Sequence, residues 1–181
     1  MAAPPSDYFE ILGLTESLRL DSKDLQARFY KYSREYHPDR FARGSEEQKA
    51  YALEASSVLN DAFRTLRDPV ARAEYVLRRR GLDIVEQRTK DVPPELLEEV
   101  FDLNMALEEL QSGDEDARPQ VTAALEKFSA MRGQIDGELK TLFAAHDSGD
   151  ASALPSIRGV LNRRRYIGNL IREANVYIST N

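Results

Sequence analysis

The 181-residue sequence has no cysteine, no tryptophan and only two histidines, His37 and His146, which lie far apart in the chain. A protein that itself held an iron–sulfur cluster would normally supply thiolates, and this one has none. Two separated histidines do not make a conventional zinc site either, so no metal and no cofactor is expected. No run of about eighteen apolar residues occurs, so no segment reads as a membrane span. The opening, Met1-Ala2-Ala3-Pro4-Pro5-Ser6, lacks the basic and hydrophobic stretches of a secretory signal, and a cytoplasmic location is expected. Gly-rich phosphate loops, internal repeats and low-complexity tracts are also missing.

What remains is a soluble, globular composition with a formal charge of −6, long enough for one sizeable domain or two small ones. The chain is organised around Tyr36-His37-Pro38-Asp39-Arg40-Phe41. Ahead of that stretch Leu25, Phe29, Tyr32 and Tyr36 recur at steps that put them on one helical face. Pro38 lacks an N–H and disfavours helical geometry at His37, so the helix stops and leaves an imidazole and a carboxylate projecting beside it. The helical pattern resumes at Ser45-Glu46-Glu47-Gln48, a candidate capping box, and runs through Ala52, Ala55, Leu59, Ala62 and Leu66. The expectation is two antiparallel helices joined by a His-Pro-Asp loop.

Flanking segments extend the pattern. Asp7 to Leu14 reads as a short first helix with Tyr8, Ile11 and Leu12 on one face and Gly13 as terminator. Asp21 or Ser22 caps the second helix. Asp68-Pro69 suits an N-cap and first helical position, opening a fourth helix that runs to about Arg80, with Ala73, Val76 and Leu77 turned inward and Gly81 as its stop. From Ser22 through Arg43 there are six basic residues against three acidic, a local +3 in an acidic chain. The overall pI of about 5.1 and the lack of a longer basic face argue against nucleic acid, and favour a negatively charged protein partner.

The mixed-charge tract 82–93, ending at Pro93, reads as a linker between domains 1–81 and 94–181. Beyond it, three helices are expected, roughly Pro94 to Gln111, Glu115 to His146 and Ser152 to Ser179. In the first, Leu96, Val100, Leu103, Leu107 and Leu110 form the core seam, whereas Leu97, Phe101 and Met105 stand off it among acids. Unpaired carboxylates are rarely buried, so this reads as an exposed, acid-rimmed apolar patch. In the last helix Val160, Ile167, Ile171, Ala174 and Ile178 form the expected core stripe, with Tyr166 off it and exposed. The first helix of this half is acidic and the last is rich in arginine, so the two are expected to dock against each other. Gly133 and Gly137 inside the middle helix are read as sites of close helix packing.

Asp7-Tyr8-Phe9-Glu10-Ile11-Leu12-Gly13-Leu14, the basic helix, the His-Pro-Asp turn and Asn60-Asp61-Ala62-Phe63-Arg64-Thr65-Leu66-Arg67-Asp68-Pro69 together resemble a J-domain. With Arg72-Ala73-Glu74-Tyr75-Val76-Leu77 and Gly81, the resemblance narrows to the HscB family, co-chaperones of iron–sulfur cluster biogenesis. It implies an all-α chain in which a J-domain joins a carboxy-terminal three-helix bundle of the HscB type. Some eukaryotic relatives carry an additional cysteine-rich zinc module, and its absence leads to the expectation of a bacterial form.

By resemblance, His37, Pro38 and Asp39, with Lys31, Arg34 and Arg40, would engage a DnaK-class chaperone such as HscA and stimulate its ATPase. One face of the bundle would bind the cluster scaffold, IscU, and the matching positions are Leu97, Glu98, Phe101, Asp102, Met105, Glu109 and Tyr166. Phe101 is larger than the family's usual residue and Met105 stands where an acid is usual. No chemistry is expected on the chain itself. Two other readings stand beside this one at this point: a J-protein that delivers unfolded clients, and an enzyme using His37 with Asp39, although no nucleophile accompanies them.

Overall fold

A computed structural model describes residues 3–82 and 94–179, so residues 83–93, nearly all of the expected linker, lie outside the described residues. The described elements are helical. They are α1 (Tyr8–Ile11), α2 (Ser22–Glu35), α3 (Glu46–Leu66), α4 (Pro69–Arg79), α5 (Leu97–Gln111), α6 (Arg118–Asp147) and α7 (Ala153–Ser179). The chain divides into two compact units.

The first unit takes in the chain up to Gly81 together with His146–Asp150. Local chemistry sets its helix ends. Asp7 accepts from the N–H groups of Phe9 and Glu10, Asp21 from those of Lys23 and Asp24, and Asp68 from that of Ala71. Ser45 and Gln48 form a reciprocal capping box. Each cap satisfies N–H groups that the first helical turn leaves without partners. Gly13 and Gly81 follow helix ends with φ of +61° and +70°, where a side chain would be strained. At Gly13 a Cβ would also lie 2.6 Å from the Tyr32 hydroxyl.

Core packing in this unit runs along one face of α3, where Ala52, Ala55, Leu59, Ala62 and Leu66 are all buried, as their spacing predicts. Stacking of Phe29 on Phe63, with ring centroids 4.2 Å apart, pairs the middle of α2 with the late part of α3, and the edge contact of Tyr36 with Tyr51 pairs the end of α2 with the early part of α3. The two helices therefore run antiparallel. In α1 the buried residues are Phe9 and Ile11, followed by Leu12; Tyr8, expected inside, is half-buried and stacks on Tyr75 at 4.4 Å. The helix is a single turn, too short to hold the wide apolar face that the sequence pattern suggests.

One buried charge was not apparent from sequence. Arg72 is 5% exposed, and its guanidinium donates to the carbonyls of Leu66, the last residue of α3, and of Leu18. Burial lowers its pKa, while Asp147 and Asp68 act in the opposite direction. The Leu18 N–H donates to Asp147, so this buried backbone segment is held from both sides by charged groups. Asp147 also accepts from the Ser17 hydroxyl at 2.7 Å and the Arg19 N–H at 3.0 Å. These bonds explain why His146–Asp150 groups with the first unit rather than with the carboxy-terminal half, where a contiguous reading of 94–181 puts it.

The second unit contains α5, most of α6, and α7. Leu96, Val100, Leu103, Leu107 and Leu110 are buried as one seam. Pro119 and Pro155 fall in the first turns of α6 and α7, where a missing N–H breaks no helical bond. On α7 the buried arc is broader than the expected stripe and includes Ala153, Ile157, Leu161, Tyr166 and Leu170 besides Val160, Ile167 and Ala174, whereas Ile171 and Ile178 are only half-buried. The expected docking of acidic on basic helix takes a different form. Arg163 and Arg164 pair with Glu138 and Asp136 of α6, and Glu99 of α5 pairs with Lys127 of α6 at 3.2 Å. The middle helix is thus the ionic partner of both neighbours in these pairs.

Gly133 and Gly137 are exposed, and a Cβ at either would meet nothing within 4 Å. Close packing therefore does not explain them. Replacing each with alanine should raise stability by about 0.5–1 kcal/mol, since glycine in a helix interior carries that disadvantage, and urea unfolding of the double variant measures it. A loss of stability would show that a neighbour needs the space.

Asp147 supports a prediction of pH dependence. Burial pushes its carboxyl up, but hydrogen bonds from the Leu18 N–H, His146, Ser17 and the Arg19 N–H outweigh burial and hold it below the ordinary value. A depressed folded pKa means that the contribution is present above the unfolded value and is lost as pH falls through the folded one. Asp147→Ala should cost about 1–3 kcal/mol at neutral pH, because the N–H of buried Leu18 loses its charged acceptor. The gap to the native protein should narrow in unfolding curves taken below about pH 4; a gap independent of pH would exclude the charged carboxylate as its source.

Candidate functional sites

The His-Pro-Asp turn is built from both sides. Tyr36 caps the end of α2, and its carbonyl accepts from the Ser56 hydroxyl of α3 at 2.8 Å. His37 is extended, with φ −61° and ψ 128°, and Pro38 starts a short 3-10 helix over Pro38–Phe41. The Asp39 N–H donates to His37 Nδ1 at 3.2 Å, and the Asp39 carboxylate lies 3.5 Å from the same nitrogen. With Nδ1 accepting, the neutral ring carries its proton on Nε2.

His37, Pro38, Asp39 and Arg40 are all exposed, as are Lys31 and Arg34 on α2. The Lys31 ammonium lies 5.0 Å from the centre of the Tyr32 ring, and Arg40 reaches back to the Arg34 carbonyl at 3.4 Å. Arg34 sits in the last turn of its helix, where a cation suits the helix dipole. Beside the turn, burial raises the pKa of Tyr36. The structure thus brings the six residues expected at the chaperone contact onto one turn and the helix end leading into it. Among the described residues, His37 hydrogen-bonds only to Asp39, so no hydroxyl nucleophile is paired with the imidazole. The turn is an exposed polar projection, internally tied by the Asp39 N–H to His37 bond and suited to contact.

The second candidate surface is on α5. Leu97, Phe101 and Met105 are 55%, 62% and 47% exposed, with Glu98, Asp102 and Glu109 exposed around them. Asp102, Met105 and Glu109 also line a groove of about 460 Å³ between α5 and α6, whose other lining includes Gln120, Ala123, Ala124 and Lys127. Sequence reasoning missed these α6 residues, because nothing in a run of small and polar positions announces which helix will face them. Hydrogen bonding from its own backbone N–H, then from Lys127, holds the Glu99 carboxyl at the groove below the ordinary value.

Tyr166 departs from the expectation. It is 7% exposed, packed on the buried side of α7, and does not line this groove. Its position one residue before Ile167 falls within the broad arc that a helix between neighbours buries, wider than a two-residue seam. Burial, then Glu173, raises its phenol pKa. Six of the seven expected scaffold-contact residues therefore share α5, and the seventh is core. No group of three or more potential metal-ligating side chains is assembled among the described residues.

Comparison with known proteins shows what the chain is similar to. Residues 7–75 match the family described as the DnaJ domain. The co-chaperone protein HscB homolog of Shewanella amazonensis is 31% identical over 147 residues, spanning 81% of this chain and 84% of its own. Among solved structures, the chaperone HscB from Vibrio cholerae is similar with a TM-score of 0.63 and 28% identity, covering 96% of this chain and 98% of its own. The human co-chaperone protein HscB is similar with a TM-score of 0.69 and 26% identity, covering 97% of this chain and 85% of its own.

Burial separates the two kinds of residue in a way that stability measurements can check. Leu97→Ala and Phe101→Ala should each cost no more than about 1 kcal/mol, as exposed positions do. Tyr166→Ala should cost about 3–5 kcal/mol, as truncation of a buried aromatic does. Equal, small losses at all three positions would contradict the packing of α7.

Proposed function

The chain belongs to the HscB family of co-chaperones, and from that membership we propose that it serves iron–sulfur cluster assembly through two contacts made by two domains. The first, residues 1–81, acts as a J-domain that engages a DnaK-class chaperone of the HscA type and stimulates its ATP hydrolysis. The second, residues 94–181, reached through a linker at 82–93, presents an IscU-type cluster scaffold. The observation that carries this reading is the His-Pro-Asp turn, held outward between two helices whose ends are fixed by Ser56 and the Ser45–Gln48 box.

The mechanism is contact rather than chemistry, in keeping with HscB co-chaperones, which are in general not enzymes. His37 offers a ring N–H, Asp39 an exposed carboxylate, and Pro38 fixes the backbone between them. A partner shifts another protein's conformational equilibrium only by binding its states unequally, so these groups act by fitting one nucleotide state of the chaperone better than the other. Lys31, Arg34 and Arg40 supply positive charge beside the turn and steer an acidic surface toward it. On α5, Leu97, Phe101 and Met105 supply apolar anchors, and Glu98, Asp102 and Glu109 the polar rim, for the scaffold. No described helix is long and apolar enough to cross a membrane; a cytoplasmic setting is part of the proposal.

His37→Gln tests the central contact. The ring is exposed, so unfolding stability should stay within about 0.5 kcal/mol of the native protein. Stimulation of the chaperone's ATPase in a steady-state phosphate-release assay should be lost. Native stimulation by the folded variant would refute the proposed role of the turn.

A further inference from the structure

The groove between α5 and α6 has walls of two kinds. Met105 and Ala106 of α5 face Ala123, Ala124 and Phe128 of α6, while Glu99, Asp102 and Glu109 line its acidic side. Its volume of about 460 Å³ falls within the roughly 300–1,000 Å³ of sites that enclose a ligand group. Small side chains create it: alanines stand on both helices where longer aliphatic residues would close the space. Lys127 is paired with Glu99 at 3.2 Å, and neither Asp102 nor Glu109 has a basic partner among the described residues. The groove is therefore apolar in its floor and negative at its rim.

We infer that this groove is the second half of the scaffold-docking surface and receives from the partner an apolar side chain flanked by a basic one. The inference rests on the reading of α5 as the scaffold-binding helix, and it adds α6 residues that this reading does not contain. Continuity supports it, because Asp102, Met105 and Glu109 belong both to the exposed patch and to the groove. An apolar group entering between Met105 and the alanines leaves water, and a neighbouring lysine or arginine meets Asp102 and Glu109 in a partly desolvated setting where charge pairing is stronger than in open water. An acidic segment would be repelled there, so the rim also discriminates between partners. A free small molecule would fill the trough but leave the adjoining Leu97–Phe101 ridge uncovered, which favours a protein surface.

Titration calorimetry with a purified IscU-type scaffold tests this. Ala123→Trp fills the groove from an exposed position and should weaken binding about tenfold or more, as loss of a central contact does. Gln120→Lys places a positive charge at the edge without adding bulk to the floor, and should weaken binding about threefold with a reduced dependence on salt. Phe101→Ala serves as the control for the α5 reading, and thermal melts establish that each variant is folded. Loss of binding in all three supports the groove. If Phe101→Ala weakens binding while both α6 variants bind as the native protein does, the groove inference is overturned and the α5 reading stands. If all three bind normally, the interface lies elsewhere and both fall. Should Ala123→Trp unfold, Gln120→Lys alone decides, and native binding by it overturns the inference.

Discussion

The small-residue face of α3 is the constraint on which the first unit depends. Three of its five buried positions are alanine, so neighbouring helices approach closely along it without large side chains holding them apart. Close approach brings Ser56, one residue beyond Ala55, within hydrogen-bonding distance of the Tyr36 carbonyl. That bond and the Tyr36–Tyr51 contact hold the end of α2 against α3, and so position the His-Pro-Asp turn that Pro38 begins. A bulky residue at Ala52 or Ala55 would separate the helices and displace the turn without touching it. The exposed polar site is thus a consequence of buried packing.

A turn proposed to act by contact needs a stiff base more than a tuned one. In the proposed contact, the value of His37 and Asp39 to a partner lies in being held in one arrangement before the encounter, which reduces the ordering cost of binding. Pro38, the Asp39 N–H on His37 Nδ1 and the 3-10 turn all restrict the same few dihedral angles. The basic residues differ in character. Among the described residues Lys31 and Arg40 are tied only by a ring contact and a long backbone bond, and they remain long, exposed side chains suited to attracting charge at a distance.

Much of this was legible in the sequence where the determining interactions are local. Asp21, Asp68-Pro69 and the Ser45–Gln48 pair act within three residues of themselves, and the seams of α3 and α5 repeat often enough for their period to define a face. Arg72 was not legible, because its burial depends on two carbonyls that only the fold brings together, one of them 54 residues away. Asp147 reads as a helix-end turn former, yet its partners at Ser17, Leu18 and Arg19 lie about 130 residues earlier in the chain. Tyr166 was misplaced for a different reason. Helical spacing gives the direction of a residue, whereas the width of the buried arc depends on how neighbouring helices surround it, and α7 is covered over more than one seam.

In the proposed scaffold contact, the six α5 residues alone make an incomplete interface. Leu97, Phe101 and Met105 are already about half covered in the folded chain, so completing their burial contributes roughly half of the 1.5–3 kcal/mol available to each side chain. Together that is about 2–5 kcal/mol. Association of two proteins costs an estimated 4–15 kcal/mol in lost translational and rotational freedom, before side chains are ordered. The ridge alone does not overcome that cost, and exposed carboxylates add little unless they are desolvated with a partner. The proposed contact therefore needs additional apolar area within reach of the same partner. The groove shared with α6 is the proposed source of it, next to the ridge, and Asp102 and Glu109 at its edge would meet an incoming cation partly shielded from water, so that apolar and ionic contributions would arise from the same insertion.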